Sequence, residues 1–334
     1  ESSDDAGNSV TSSATSTHTV DTTGVGSVVV DSITADDVIS ASEASGTVSV
    51  TGSVSGELTT GDTVSFTVNG TSYSGTVDGS GNWSVDVSGA DLAADTNFTV
   101  TALGTDAAGN AISVTADSSH SVDVSADAGT VTIDAITSDD VINADEAGST
   151  ITISGSAAGG DISTGDTVSF SVNGTSYSTT VDSDGNWSAD VSGANLAEDT
   201  SFDVSVSSSD SVGNTVTSSA TSTHTVDTQG TGTVSVDAIT SDDVVSASES
   251  SSTISVTGSV TGELAQGDTV SFSVNGTSYS GSVESDRTWS VDVAGSDLAA
   301  DTNFTVTATG ADSVGNAISV TADSSHTVDA SADA

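Results

Sequence analysis

The chain contains no cysteine, no proline and no methionine, and its lysines and arginines together amount to one residue, Arg287. Without cysteine, neither a disulfide framework nor a thiolate metal site is possible. Against the single base stand 48 acids, for a formal charge of −47. Such a surface repels nucleic acid and anionic membrane, which removes both as partners and leaves multivalent cations as the favoured ones. No stretch approaches the roughly 18 consecutive apolar residues that a membrane-spanning helix needs. A lysine-free surface rich in Ser, Thr and Asp suits salty surroundings, where charge is screened over a few ångströms. Outside the cell, a chain without disulfides needs another staple. The lack of proline has no evident physical reason in an edge-rich β protein.

What the sequence does contain, it contains three times. Asp31-Ser-Ile-Thr-Ala-Asp-Asp-Val-Ile39 returns from Asp134 to Ile142 and again from Asp237 to Val245, a step of 103 residues each time. Trp83, Trp187 and Trp289 recur with one-residue slips. A period near 100 residues exceeds a solenoid unit and matches a self-sufficient small domain. Asp4-Asp-Ala-Gly-Asn8 through Asp21 matches Asp210 through Asp227, so residues 1–22 read as the last strand and linker of a preceding repeat. The chain then reads as a fragment carrying three full repeats, 23–125, 126–228 and 229–334.

Within a repeat the apolar period is two. Val64-Ser-Phe66-Thr-Val68, Trp83-Ser-Val85-Asp-Val87 and Phe98-Thr-Val100 alternate apolar with small polar residues, as half-buried antiparallel strands do. Turn signals such as Asn69-Gly70, Asp78-Gly-Ser-Gly-Asn82 and Asp106-Ala-Ala-Gly-Asn110 punctuate them. The pattern predicts seven strands in the first repeat, over 28–34, 46–54, 62–69, 71–78, 82–88, 97–104 and 111–122, with helix limited to a turn at 91–95. Seven short strands in about 100 residues define an immunoglobulin-like β-sandwich. The fold class is therefore all-β: tandem sandwiches of seven strands each, arranged as an elongated rod on the order of 120 Å long.

That topology gives the acids an address. With strands reversing in turn, the connection between strands six and seven lies at the pole facing the preceding repeat. The connection between strands one and two lies at the outgoing pole, beside the next linker. Asp106 and Asn110, Asp210 and Asn214, and Asp312 and Asn316 belong to the first pole. Asp36, Asp37 and Glu43, Asp139, Asp140 and Glu146, and Asp242, Asp243 and Glu249 belong to the second. Asp21, Asp123, Asp227 and Asp329 lie in the linkers. Carboxylates about 4 Å apart repel by roughly 1 kcal/mol in water and by several times that near a protein surface. Their convergence would splay the repeats apart unless a hard, oxygen-seeking cation joined them, and calcium accepts 6–8 such oxygens in flexible geometry. These residues are the candidate ligands. Solvated loop acids are equally common for any single Asp, and what favours ligation is the coincidence of acid type, position and pole.

Other motifs carry less. Asp182-Ser-Asp-Gly-Asn186 begins like an EF-hand loop, but Gly193 stands where a bidentate Glu is required, which favours a hairpin turn. His18, His120, His224 and His326 lie about one repeat apart, so they cannot form a cluster within one repeat and read as exposed strand positions. No Gly-x-Ser-x-Gly elbow and no lysine accompanies them, so no catalytic set emerges and the chain is not read as an enzyme. The sequons at Asn69, Asn82, Asn97, Asn173, Asn186, Asn275 and Asn303 follow from a Ser/Thr-rich composition alone.

Residues 134–146, the segment Asp166-Thr-Val-Ser-Phe-Ser-Val-Asn-Gly-Thr-Ser-Tyr177, the Asp-x-x-Gly-Asn motif and the His-Thr-Val-Asp linkers together resemble the extender repeats of giant bacterial repeats-in-toxin (RTX) adhesins. The resemblance covers essentially the whole chain. It implies a secreted, calcium-rigidified stalk at the cell surface that holds a terminal binding domain away from the cell, with ligand contacts made by other domains of the parent protein. The Gly-Gly-x-Gly-x-Asp nonapeptides of such proteins are not in this sequence. Two alternatives share the fold: a surface-layer or matrix glycoprotein of a halophile, which would use the sequons, and a carbohydrate-binding array, which would need exposed aromatics that an alternating core does not leave.

Overall fold

In the computed structural model, which describes residues 1–331, strands form where apolar and small polar residues alternate. A short exposed hairpin comes first, β1 (Ser2–Ser3) and β2 (Ser9–Val10). The first repeat follows as β3 (Gly26–Val30), β4 (Val38–Ile39), α1 (Ala41–Ala44), β5 (Thr47–Gly56), β6 (Thr63–Val68), β7 (Thr71–Thr76), β8 (Asn82–Ser88), α2 (Gly89–Ala94), β9 (Asn97–Thr105), β10 (Ala111–Ser119) and β11 (Ser121–Val122). Strands β3-β5-β8 make one antiparallel sheet and β10-β9-β6-β7 the other. Asn69 and Gly70 both have positive φ, 48° and 78°, the two-residue turn that joins β6 to β7 without splaying them. This is the immunoglobulin-like sandwich, and the second and third repeats reproduce its sheets.

The alternation decides which face is buried. Val48, Val50, Val85 and Val87 face inward from the three-stranded sheet, and Val64, Phe66, Phe98 and Val100 from the four-stranded one. Phe66 stacks on Phe98 at 5.1 Å and on Tyr73 at 5.9 Å, with Trp83 at 6.2 Å. Trp83 pairs across the sheet with Gly52. A Cβ at residue 52 would fall 2.0 Å from the Val29 carbonyl and 2.5 Å from the indole, so glycine makes the space the ring occupies. Gly155 and Gly258 do the same for Trp187 and Trp289. Three separate apolar clusters result, one per repeat.

Three local expectations differ from what forms. The first strand ends at Val30 rather than at 34, because residues 31–37 turn sharply and Asp37 takes φ 61°. Helix is not limited to the turn near 91–95, which is α2. The four-residue α1 is closed by a capping box, Ser40 accepting from the Glu43 N–H while the Glu43 carboxylate accepts from the Ser40 N–H. The seventh strand breaks at His120, and the chain beyond it changes partner, β11 pairing in parallel with β4. That break corrects the reading of the histidines as exposed strand positions: His120, His224 and His326 are buried, and only His18 is exposed. The Nε2 atom of each lies 2.8 Å from a leucine carbonyl, of Leu92, Leu196 and Leu298 respectively. A carbonyl only accepts, so Nε2 carries the proton.

The chain divides into two compact units, Glu1–Asp127 with Ser209–Val216, and Ala128–Ser208 with the residues from Thr217 onward. The tip of the last hairpin of the second repeat thus groups with the first unit. No helix of the described residues is long and apolar enough to cross a membrane.

Trp83 retains 2 % of its exposure, so Trp83→Ala removes a fully buried ring from a glycine-shaped slot. The expected cost is about 3–5 kcal/mol, read from the urea midpoint of the first repeat. A shift under about 1 kcal/mol would place the ring outside the core.

Candidate metal centre

The turn between the last two long strands of each repeat is closed by the Asp and Asn of the Asp-x-x-Gly-Asn motif. Asp106 accepts from the Asn110 backbone N–H through one carboxylate oxygen and from the Asn110 amide through the other, both at 2.7 Å. Gly109 supplies the φ of 92° that brings the chain back. Asp210 with Asn214 and Asp312 with Asn316 repeat the arrangement, as do Asp4 and Asn8 at the start of the chain. The asparagine then reaches the incoming linker. Asn110 donates to the Asp21 carbonyl at 3.2 Å, Asn214 to that of Asp123 at 2.9 Å and Asn316 to that of Asp227 at 2.8 Å.

A third segment joins from the connection between β5 and β6. Glu57 accepts from the Val25 N–H at 2.7 Å, and Glu263 accepts from the Thr231 N–H at 2.6 Å. The result is a convergence of three carboxylates from three separate segments: Asp21, Glu57 and Asp106 where the linker enters the first repeat, and Asp227, Glu263 and Asp312 where it enters the third. One ligand oxygen from each lies within 4.8 Å of the other two.

The electrostatics are one-sided. Three carboxylate pairs at such distances repel by roughly 1 kcal/mol each in water and more where water is excluded. Arg287 spends its guanidinium on the Gly262 carbonyl at 3.0 Å. Hydrogen bonds hold part of the charge in place. The Asn110 amide keeps the Asp106 carboxyl below the ordinary aspartate range against the opposing effect of burial. For Asp210 and Asp312 burial is the largest single influence and pushes upward, but the Asn214 and Asn316 amides and the surrounding backbone N–H groups outweigh it, and both are lowered.

The donor set fits a hard cation. Oxygens that bind one calcium at 2.3–2.6 Å can lie no more than about 4.6–5.2 Å apart, which the observed spacing satisfies. All donors are oxygen, and neither thiolate nor imidazole takes part.

The sequence-derived candidates separate into two groups. The structure brings together linker and hairpin-tip acids, Asp21 with Asp106 and Asp227 with Asp312. Asp123 and Asp210 are linked through Asn214. Asp329 caps a local turn by accepting from the Ser331 N–H at 3.0 Å. The acids of the outgoing pole are engaged in their own turns. Asp36, Asp139 and Asp242 accept from Thr34, Thr137 and Thr240. Asp37, Asp140 and Asp243 accept from the backbone N–H groups of Ile33, Ile136 and Ile239. Glu43, Glu146 and Glu249 bond the N–H of Ser40, Asn143 and Ser246. Among the described residues none of these nine joins the two three-carboxylate groups. The asparagines spend their amides on hydrogen bonds within and beside the turn. Glu57 and Glu263 were missed in the sequence, although Gly-Glu-Leu recurs at 56–58 and 262–264.

Tandem immunoglobulin-like sandwiches with carboxylates gathered where a linker enters a repeat define an array module of extracellular type. Comparison with solved structures makes the assignment sharper. The chain is 55 % identical, over 98 % of its length and 80 % of the other chain, to part of a Ca2+-stabilised adhesin that helps an Antarctic bacterium reach out and bind ice, with a TM-score of 0.83. It is 46 % identical, over 93 % of its length and all of the other chain, to part of a 1.5-MDa bacterial ice-binding adhesin, with a TM-score of 0.67. No protein-family model and no curated protein sequence matches it. The chain belongs to the immunoglobulin-like extender repeats of large bacterial adhesins, a family that includes those of the ice-binding adhesins. These relatives are structural modules of adhesins.

The lowered Asp106 carboxyl has a pH consequence of definite sign. A folded-state pKa below the unfolded value contributes stability that is present above the unfolded value and lost as pH falls through the folded one. In Asn110→Ala that acid limb should begin nearer the ordinary aspartate value, at higher pH than in wild type. Calorimetric unfolding between about pH 2 and pH 6 checks this, and identical acid limbs would detach Asp106 from Asn110.

Proposed function

We propose that this chain is a calcium-rigidified extracellular spacer of a bacterial surface adhesin, which carries a ligand-binding domain elsewhere in the parent protein away from the cell. The observation that carries the reading is the convergence of Asp227, Glu263 and Asp312, from linker, mid-repeat connection and hairpin tip, in a chain whose one arginine bonds a backbone carbonyl. Residues 23–125, 126–228 and 229–334 are the three domains, the last three residues lying outside the described part of the chain. Asp21, Glu57 and Asp106, and Asp227, Glu263 and Asp312, hold the ion, with waters or carbonyls completing its shell. Asp123 and Asp210 serve the second repeat in the same role.

The ion supplies the charge that lets the three segments stay together. The residues of the chain do the rest. The Asp–Asn turn presents one carboxylate in a fixed place. The backbone bond between Glu57 and Val25, 2.8 Å from the Glu57 N–H, ties the mid-repeat connection to the first strand. The linker aspartate follows directly on a strand anchored by its own repeat, the Asp227 N–H donating to Ile142 at 3.0 Å. Bound together, these segments leave the linker few conformations, which is what stiffness requires.

The spacer performs no catalysis. One buried histidine per repeat, already bonded to a carbonyl, is not placed as a base, and no cysteine or lysine nucleophile exists. Purified repeats should turn over no ester, peptide or glycoside; turnover abolished by one point substitution would contradict this.

Calcium titrated into the calcium-free chain should give saturable heat and raise the unfolding temperature. At a hundredfold excess over the Kd, a site confined to the folded state adds about 2.7 kcal/mol. Glu263→Gln and Asp227→Asn should each weaken the third-repeat site by about tenfold or more, the scale on which carboxylate count tunes such sites, and leave the first-repeat site intact. Equal calcium uptake by wild type and both variants would refute the ligand assignment.

A further inference from the structure

Asn316 retains 3 % of its exposure and Asn214 5 %, whereas Asn110 is half-buried and has no helix N–H bonded to its amide oxygen among the described residues. The three side chains occupy the same turn, so the extra burial comes from what precedes the turn in space. In the second unit that neighbour is the start of α3 (Ala144–Ala147) in the second repeat. The Asn316 amide oxygen accepts from the Ala144 N–H at 2.7 Å. Its nitrogen donates to the Asp227 carbonyl at 2.8 Å and to the Asp312 carboxylate at 2.7 Å. A single buried amide therefore bonds to one repeat, to the linker and to the next repeat. Asn143, the residue that caps α3, adds a bond of its own, donating to the Val314 carbonyl at 2.9 Å. In the first unit Asn214 makes the corresponding set, accepting from Ala41 at 2.7 Å and donating to Asp123 and Asp210 at 2.9 and 2.6 Å.

We propose that Asn316 is a positioning residue that fixes the angle between the second and third repeats through a clasp of hydrogen bonds needing no ion. The Asn316 amide oxygen is already held by the Ala144 N–H, and a cation drawn to it would compete with that bond. Asn316 thus acts beside the ion site rather than in it. Because it also holds the Asp312 carboxylate, it connects the three-carboxylate group of the third repeat to the body of the second. The clasp rests on the calcium reading only in this last connection, and its bonds exist without it. Its second arm varies with sequence: Ser40, which stands at the position of Asn143 in the first repeat, bonds instead to Ser42 and Glu43 of its own turn.

A chain without cysteine allows two spin labels to be placed cleanly, at Ser171→Cys and Ser273→Cys, equivalent exposed positions in the second and third repeats. Electron-spin distance measurements are then made in calcium and in chelator. Wild type should keep a resolved distance peak in chelator and narrow it in calcium. Asn316→Ala should lose the peak in chelator, with at least a doubling of the width, while its tryptophan fluorescence still reports folded repeats. Asn143→Ser, which removes only the Val314 bond, should broaden the peak by less. Chelator widths equal to wild type in both variants, or a wild type with no peak in chelator, would overturn the clasp. A wild-type peak unchanged by calcium but broadened by Asn316→Ala would uphold the clasp and refute the calcium reading.

Discussion

Repulsion among carboxylates with no base to oppose it is the constraint to which the rest of the molecule responds. The chain places three acids within 4.8 Å of one another where the linker enters the first and the third repeat, and its one cationic side chain is spent on a carbonyl. Left alone, such a group works against the tertiary contacts that bring its segments together. Those contacts are not weak: Glu57 and Glu263 donate their N–H to the carbonyls of Val25 and Thr231 and accept the N–H of the same residues on their carboxylates, and an aspartate is held on both oxygens by the asparagine four residues on. A structure that spends this much hydrogen bonding to concentrate like charge is built around a counter-charge from outside. The proposed calcium supplies it, and dissolved salt would screen only the exposed remainder.

The sandwich itself is insulated from this tension. Its core is made of valines, a Phe–Phe–Tyr stack and a tryptophan seated against a glycine, and none of the clustered acids enters it. Folding of a repeat and stiffness of the array are therefore separable, the first set by alternation and the second by what happens at linkers. The hydrogen-bond clasp at Asn316 stands between the two. It gives the joint a preferred geometry, and the ion removes the repulsion that opposes that geometry.

Most of the fold was legible in the sequence because period-two alternation is a local signal. Val64-Ser-Phe66-Thr-Val68 can bury only one face, and Asn69-Gly70 can only turn, so strand positions and count followed. The misreadings share a cause: they depend on partners distant in sequence. His120 looks like one more residue of a strand until β11 leaves its sheet to pair with β4, and only then is it buried. Glu57 lies 36 residues from Asp21 and 49 from Asp106, and no local pattern marks it as their neighbour. The acids of the outgoing pole have partners close in sequence. Asp36, Asp37 and Glu43 bond to Thr34, Ile33 and Ser40 at the spacing of turn and helix caps. The Ser-x-x-Glu pattern announces such a cap in the sequence itself.

The central claim is that a bound cation, rather than the sandwiches, makes the array stiff. Small-angle scattering of the intact chain in calcium and in chelator tests it most directly. The account predicts a larger maximum dimension and a more rigid profile in calcium, with circular dichroism unchanged because the repeats stay folded. Identical scattering in both conditions, with calcium demonstrably bound, would contradict it.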